Sequence, residues 1–243
     1  MLALYKKEIS SFFSSLTGVV VVSIFLVING LFVWVIPSEN NVLESGYANI
    51  DGLFNLAPWV FLFLGPAVSM RMFSEEKSNG TLDLLLTRPL TELHIVLAKY
   101  FAGITLVILS ILPTLVYYIS VYYMGQPIGN VDSGAIWGSY TGLFLLASIY
   151  VAIGIFCSAL TENQIIAFLL SALLSFILYI GFDILGTFSS LSSINTVIIS
   201  LGIEDHYRSI SRGVVDSRDV IYYLGVITIF IALTQLILLS KKW

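Results

Sequence analysis

Apolar residues run in six long stretches separated by short polar breaks, and this alternation organises the chain. Leu16 to Ile36 carries no charged side chain, nor do Gly52 to Met70, Tyr100 to Met124, Ser133 to Leu160, Asn163 to Phe182 and Val220 to Ser240. About 20 apolar residues carry a helix across a bilayer core. The pattern therefore predicts a single transmembrane domain over 1–243, with spans at about 16–36, 53–72, 100–124, 135–160, 164–185 and 220–240. Six crossings put both termini on one side.

The breaks have patterns of their own. Leu2, Tyr5, Ile9, Phe12 and Leu16 recur at helical spacing, with Lys6, Lys7, Glu8 and Ser10 elsewhere. That predicts an amphipathic interfacial helix over 1–15, serving as a simple anchor or as an elbow. Residues 71–99 form the main charged island. Arg71 ends the second span, Glu75 and Glu76 open a new segment, and Gly80-Thr81 interrupts it. Thr81 is placed to cap a turn over Leu82 to Leu86, with Asp83 favourable to its dipole. Pro89 ends that turn, and Thr91, with Glu92 nearby, caps a helix leading through Lys99 into the third span. The short helix carries Leu82, Leu85 and Leu86 on one side. It either faces a partner or packs on its own spans.

The turn Gly125 to Asp132 is short. In the turn Thr161-Glu162-Asn163-Gln164, Thr161 is the expected N-cap of the fifth span, and Glu162 is a candidate second contact for a cytoplasmic partner. The last connection contains an apolar piece, Ile194 to Leu201, too short to span. A re-entrant or interfacial hairpin over 187–219 fits it, as does a folded surface loop. Its marked positions are Ile194, Leu201, Arg208, Arg212, Gly213 and Asp219.

Composition strengthens the membrane reading: 58% of residues are hydrophobic and 11% charged, with a mean hydropathy of +0.95, whereas soluble domains carry about 25% charge. The distribution of basic residues orients the chain. Lys6, Lys7, Arg71, Lys77, Arg88, Lys99, Lys241 and Lys242 fall on one side and only Arg208, Arg212 and Arg218 on the other. Both termini are therefore expected in the cytoplasm. The sole cysteine, Cys157, lies in an apolar run and reads as a packing residue.

Catalytic chemistry is hard to find. No Gly-x-x-x-x-Gly-Lys-Ser/Thr string occurs, so no ATPase activity of its own is expected. His94 and His206 fall on opposite faces. Ser139 in the fourth span has no histidine in any span to activate it. The charge-free spans argue against a proton- or sodium-driven carrier.

The string Glu75-Glu76-Lys77-x-x-Gly80-Thr81-Leu82-x-x-Leu85-Leu86-x-x-Pro89, followed by Lys99, resembles the signature of type-2 ABC transporter permeases. The resemblance covers the whole chain. It implies an all-α integral membrane protein with six transmembrane helices, an N-terminal interfacial helix, a cytoplasmic coupling helix and an outer re-entrant hairpin. It also implies a non-catalytic permease subunit, with ATP and Mg held by a partner ATP-binding subunit that docks on Glu75 to Pro89. The working unit would pair it with a second copy or a related membrane subunit. Within the family, the length, this string and Gly213 to Val220 are most similar to the GldF group, permeases of the gliding-motility ABC transporters of Bacteroidetes. That implies partners of the GldA (ATPase) and GldG (membrane) kinds. The alternative is a non-transporting scaffold or mechanical transducer that moves an outer-side partner.

Overall fold

Among the described residues of the computed structural model, six helices are long and apolar enough to cross a membrane: Gly18–Val35, Asp51–Ser78, Glu92–Met124, Ser133–Leu160, Gln164–Gly186 and Ser217–Ser240. The structure describes residues 1–14, 16–87, 90–188 and 199–240, and no strand occurs among them. Pro89 and Ile194 lie outside the described residues. In chain order the helices are α1 (Leu2–Ser14), α2 (Thr17–Gly30, extended by a π turn to Val35), α3 (Asp51–Ser69), α4 (Arg71–Ser78), α5 (Leu82–Leu86) and α6 (Glu92–Ile111). Then follow α7 (Leu115–Met124), α8 (Ser133–Leu160), α9 (Gln164–Phe176, extended by a π turn to Gly181), α10 (Phe182–Phe188), α11 (Ile203–Ser211) and α12 (Ser217–Ser240).

Two spans run further than hydrophobicity alone suggests. Only Met70, itself helical, separates α3 from α4, so the charged segment after Arg71 prolongs the second span instead of breaking from it. The third span starts at Glu92, because Thr91 caps it by accepting from the His94 amide. Pro113 falls in a 3-10 turn, Leu112–Thr114, that joins α6 to α7.

α8 is the centre of the bundle and touches α3, α4, α6, α9, α11 and α12. Small residues allow this closeness. A Cβ on Gly154 would stand 1.7 Å from Ser69 Oγ of α3. By contrast α9 exposes Leu169 and Leu173, and α12 exposes Ile221 and Ile229. Those apolar faces suit hydrocarbon surroundings.

α11 closes one end of the bundle. It turns Ile203, Tyr207 and Ile210 inward at helical spacing. Tyr207 Oη donates to the Phe54 carbonyl at 2.8 Å and Tyr223 Oη to the Ile203 carbonyl at 3.4 Å. Where α11 crosses α8, a Cβ on Gly138 would meet the Ile210 carbonyl at 2.7 Å and Gly213 Cα at 2.9 Å. Gly213 itself has φ +90°, which a larger residue takes up only under strain.

Three local expectations need correction. Asn163, not Thr161, caps the fifth span: its Oδ1 accepts from the amides of Ile165 and Ile166. Thr161 instead accepts from the Asn163 amide. Thr81 makes no side-chain cap on α5; its amide and hydroxyl both donate backwards to the Glu76 carbonyl. Glu8, read as part of the polar face of α1, is buried, because Lys99 waits for it inside.

Candidate functional site

The end of the bundle opposite α11 gathers α1, α4, α5 and the start of α6. The helix that Thr91 starts carries Lys99 about 10 Å along its axis, and the side chain points inward. Lys99 is 1% exposed. A lysine so buried needs charged and hydrogen-bonding partners. Its ammonium lies 3.0 Å from Glu8 of α1 and 3.0 Å from Glu76 of α4, and donates to the Met72 carbonyl at 2.6 Å. The ring of Phe73 lies 5.0 Å below it, a cation–π distance. Lys7 approaches the same carboxylates from the rim, at 3.1 Å from Glu76 and 3.5 Å from Glu8. Two cations and two anions thus close a neutral cluster across three helices. Burial would lower the Lys7 pKa, but Glu8 and Glu76 outweigh it and the net direction is upward.

A second fastening ties α4 to α8. At the joint between α3 and α4, Ser158 Oγ accepts from the amides of Phe73 (2.9 Å) and Ser74 (3.0 Å) and donates to the Met70 carbonyl (2.7 Å). One turn on, the Lys77 ammonium donates to the Ala159 carbonyl. α4 is therefore held to α1 and α6 by charge and to α8 by hydrogen bonds.

α5 stands away from this framework. Gly80, at φ +65°, lets the chain reverse. Leu82 then tucks inward at 4% exposure, while Leu84 is 66% exposed and Leu85 half-buried. Between α1 and α5 lies a groove of about 430 Å³, lined among others by Leu4, Lys7, Glu76, Leu84, Leu85 and Leu90.

The residues singled out from sequence thus separate by exposure. Glu75 and Glu162 are exposed, Glu76 and Lys77 are drawn into internal contacts, Gly80 and Thr81 form the reversal, and Leu86 ends α5. At the opposite end Leu201 and Arg212 are exposed, Arg208 pairs with Glu204, and Gly213 packs on α8. Asp219 is buried and hydrogen-bonded to His206 Nδ1 at 2.7 Å. Sequence reasoning missed Leu84, Ser158 and the inward role of Glu8. A signal for Glu8 was present: it stands four residues from both Leu4 and Phe12, the buried face of α1.

A family model described as ABC-2 family transporter protein matches residues 2–243. The chain belongs to the ABC-2 transporter family. Such a chain is the membrane-spanning permease of an ABC transporter, a component not normally catalytic itself, and the family implies an ATP-binding partner. No match was found among curated proteins. In this ABC-2 permease, the charged end combines a short helix with an exposed leucine, α5, with a helix, α4, that is fastened to three others.

Proposed function

We propose that this permease converts ATP hydrolysis by a separate subunit into transport or mechanical work across the cytoplasmic membrane, with both termini in the cytoplasm. The process we assign is gliding motility, with an ATPase of the GldA kind and a second membrane subunit of the GldG kind, or a second copy of the chain. The carrying observation is the contrast within 71–86. Leu84 stands exposed beside the α1–α5 groove, while Lys99, Ser158 and Lys77 bind α4 to α1, α6 and α8. A push on α5 therefore reaches the third and fourth spans through fixed contacts.

Leu84 and Leu85 supply the apolar anchor for the ATP-binding subunit, and the exposed Glu75 and Asp83 supply a charged rim. Glu162 is the second contact. ATP and Mg stay on the partner. α11, with Leu201, Arg208, Arg212, Gly213 and Asp219, forms the outer gate, and α1 lies along the inner leaflet as an interfacial elbow.

Co-purification with the ATP-binding subunit tests the contact. Wild type retains it, whereas Leu84→Asp and Leu85→Asp release it and leave the permease folded. Retention in both variants sinks the assignment of α5. A second reading, a scaffold that moves an outer-side partner without transport, fits the charge-free apolar runs as well as transport of a lipid-like substrate does. ATPase activity that responds to such a protein partner, and to no small molecule or lipid, selects that reading.

A further inference from the structure

We infer that the groove between α1 and α6 is a binding site for an anionic phospholipid, a reading that rests on the membrane placement proposed above. The groove has a volume of about 510 Å³ and is lined by Leu2, Tyr5, Phe101, Ile104, Thr105 and Ile108, together with Met1. From Phe101 to Ile108 it runs about 10 Å along α6, in the direction of an acyl chain entering from the helix start. Its two hydroxyls are already satisfied. Tyr5 Oη bonds to Thr105 Oγ1 at 2.8 Å, and Thr105 donates to the Phe101 carbonyl at 2.8 Å. The walls therefore offer a ligand apolar contact only.

The mouth supplies charge of one sign. Lys6 is exposed one helical turn from Leu2 and so stands over the open end. Lys7, beside it, faces the α1–α5 groove and is paired with Glu8 and Glu76, so the charge at this mouth is that of Lys6. The only acid of α1, Glu8, is withdrawn onto Lys99, and no acid lines the groove. With Glu8 held by Lys99 and Lys7, the exposed charge of α1 beside the apolar slot is the Lys6 ammonium. That combination fits an anionic headgroup with its chain, and offers nothing particular to a zwitterionic one.

The test is native mass spectrometry of the full chain, reconstituted with equal phosphatidylglycerol and phosphatidylcholine of the same acyl chains. Wild type retains phosphatidylglycerol roughly tenfold over phosphatidylcholine. Lys6→Ala lowers that preference about fivefold, the share of one basic side chain near an anionic lipid surface. Ile108→Trp fills the slot and removes retained lipid of both kinds, with protection of Cys157 from a thiol dye confirming that it folds. Equal retention of the two lipids overturns the site. So does a preference unchanged in Lys6→Ala, or an Ile108→Trp effect on subunit mass instead of lipid, which would mean that a second copy covers the groove. Recruitment of the ATP-binding subunit, followed in the same preparations, reports on the permease reading separately.

Discussion

The two ends of the bundle are fastened by different chemistry. At the α1 end, Lys99 holds Glu8 and Glu76 at 3.0 Å each, and Lys7 completes the set. At the α11 end, beside one His206–Asp219 contact at 2.7 Å, tyrosine hydroxyls donate to backbone carbonyls, and two glycines let α8 and the close of α11 approach within contact distance. The first kind of joint is long-ranged but demanding, since removing one member strands its partners. The second is short-ranged and graded, since each hydrogen bond contributes only about 1 kcal/mol. On the roles proposed above, the first kind suits the transmission of a push and the second suits a lid that yields.

That comparison can be broken by experiment. The largest effect is expected from Lys99→Met, which removes the buried cation from Glu8 and Glu76, leaves them the rim Lys7, and costs about 3–5 kcal/mol. Reaction of the buried Cys157 with a thiol dye on heating would report it. Adding Glu8→Gln and Glu76→Gln returns most of the loss, because no buried charge then remains and Lys7, 59% exposed, is left to water; if the triple variant is no more stable than Lys99→Met, the cluster is not what holds this end. Gly138→Val comes next at about 1–3 kcal/mol, by overpacking α8 against α11. The loss should concentrate at the α11 end, so hydrogen exchange should rise in 203–213 and stay unchanged in α4. Tyr207→Phe strands the Phe54 carbonyl and costs about 1–2 kcal/mol by the same melt. Leu84→Asp is expected to change stability by less than about 0.5 kcal/mol, being a substitution at an exposed position, and a larger loss would mean that α5 is held by its own spans.

These expectations also separate what was legible in the sequence from what was not. The six spans were legible because a charge-free run of about 20 residues has few other physical meanings. The Thr91 cap was legible because a hydroxyl residue before an apolar run has a local partner. The place of Glu8 was legible only in part: its spacing with Leu4 and Phe12 marks the buried face, but its partner Lys99 belongs to another helix, and no local period reports a contact 91 residues away. Leu82 and Leu84 show the limit at its smallest. Both are leucines on one five-residue helix, and only the packing of that helix decides which faces out. Asn163 displaced Thr161 as a cap by a two-residue shift of the helix start, within the usual uncertainty of a boundary.

The span between Glu8 and Lys99 also bears on how the chain is made. Glu8 is synthesised and delivered to the membrane early, while the ammonium that will neutralise it is still 91 residues from completion. Until the third span is threaded, that carboxylate has the neighbouring Lys7 but not the buried cation that fixes α1 in its final place. A helix made 91 residues before its cation is thus locked only after the third span is in place.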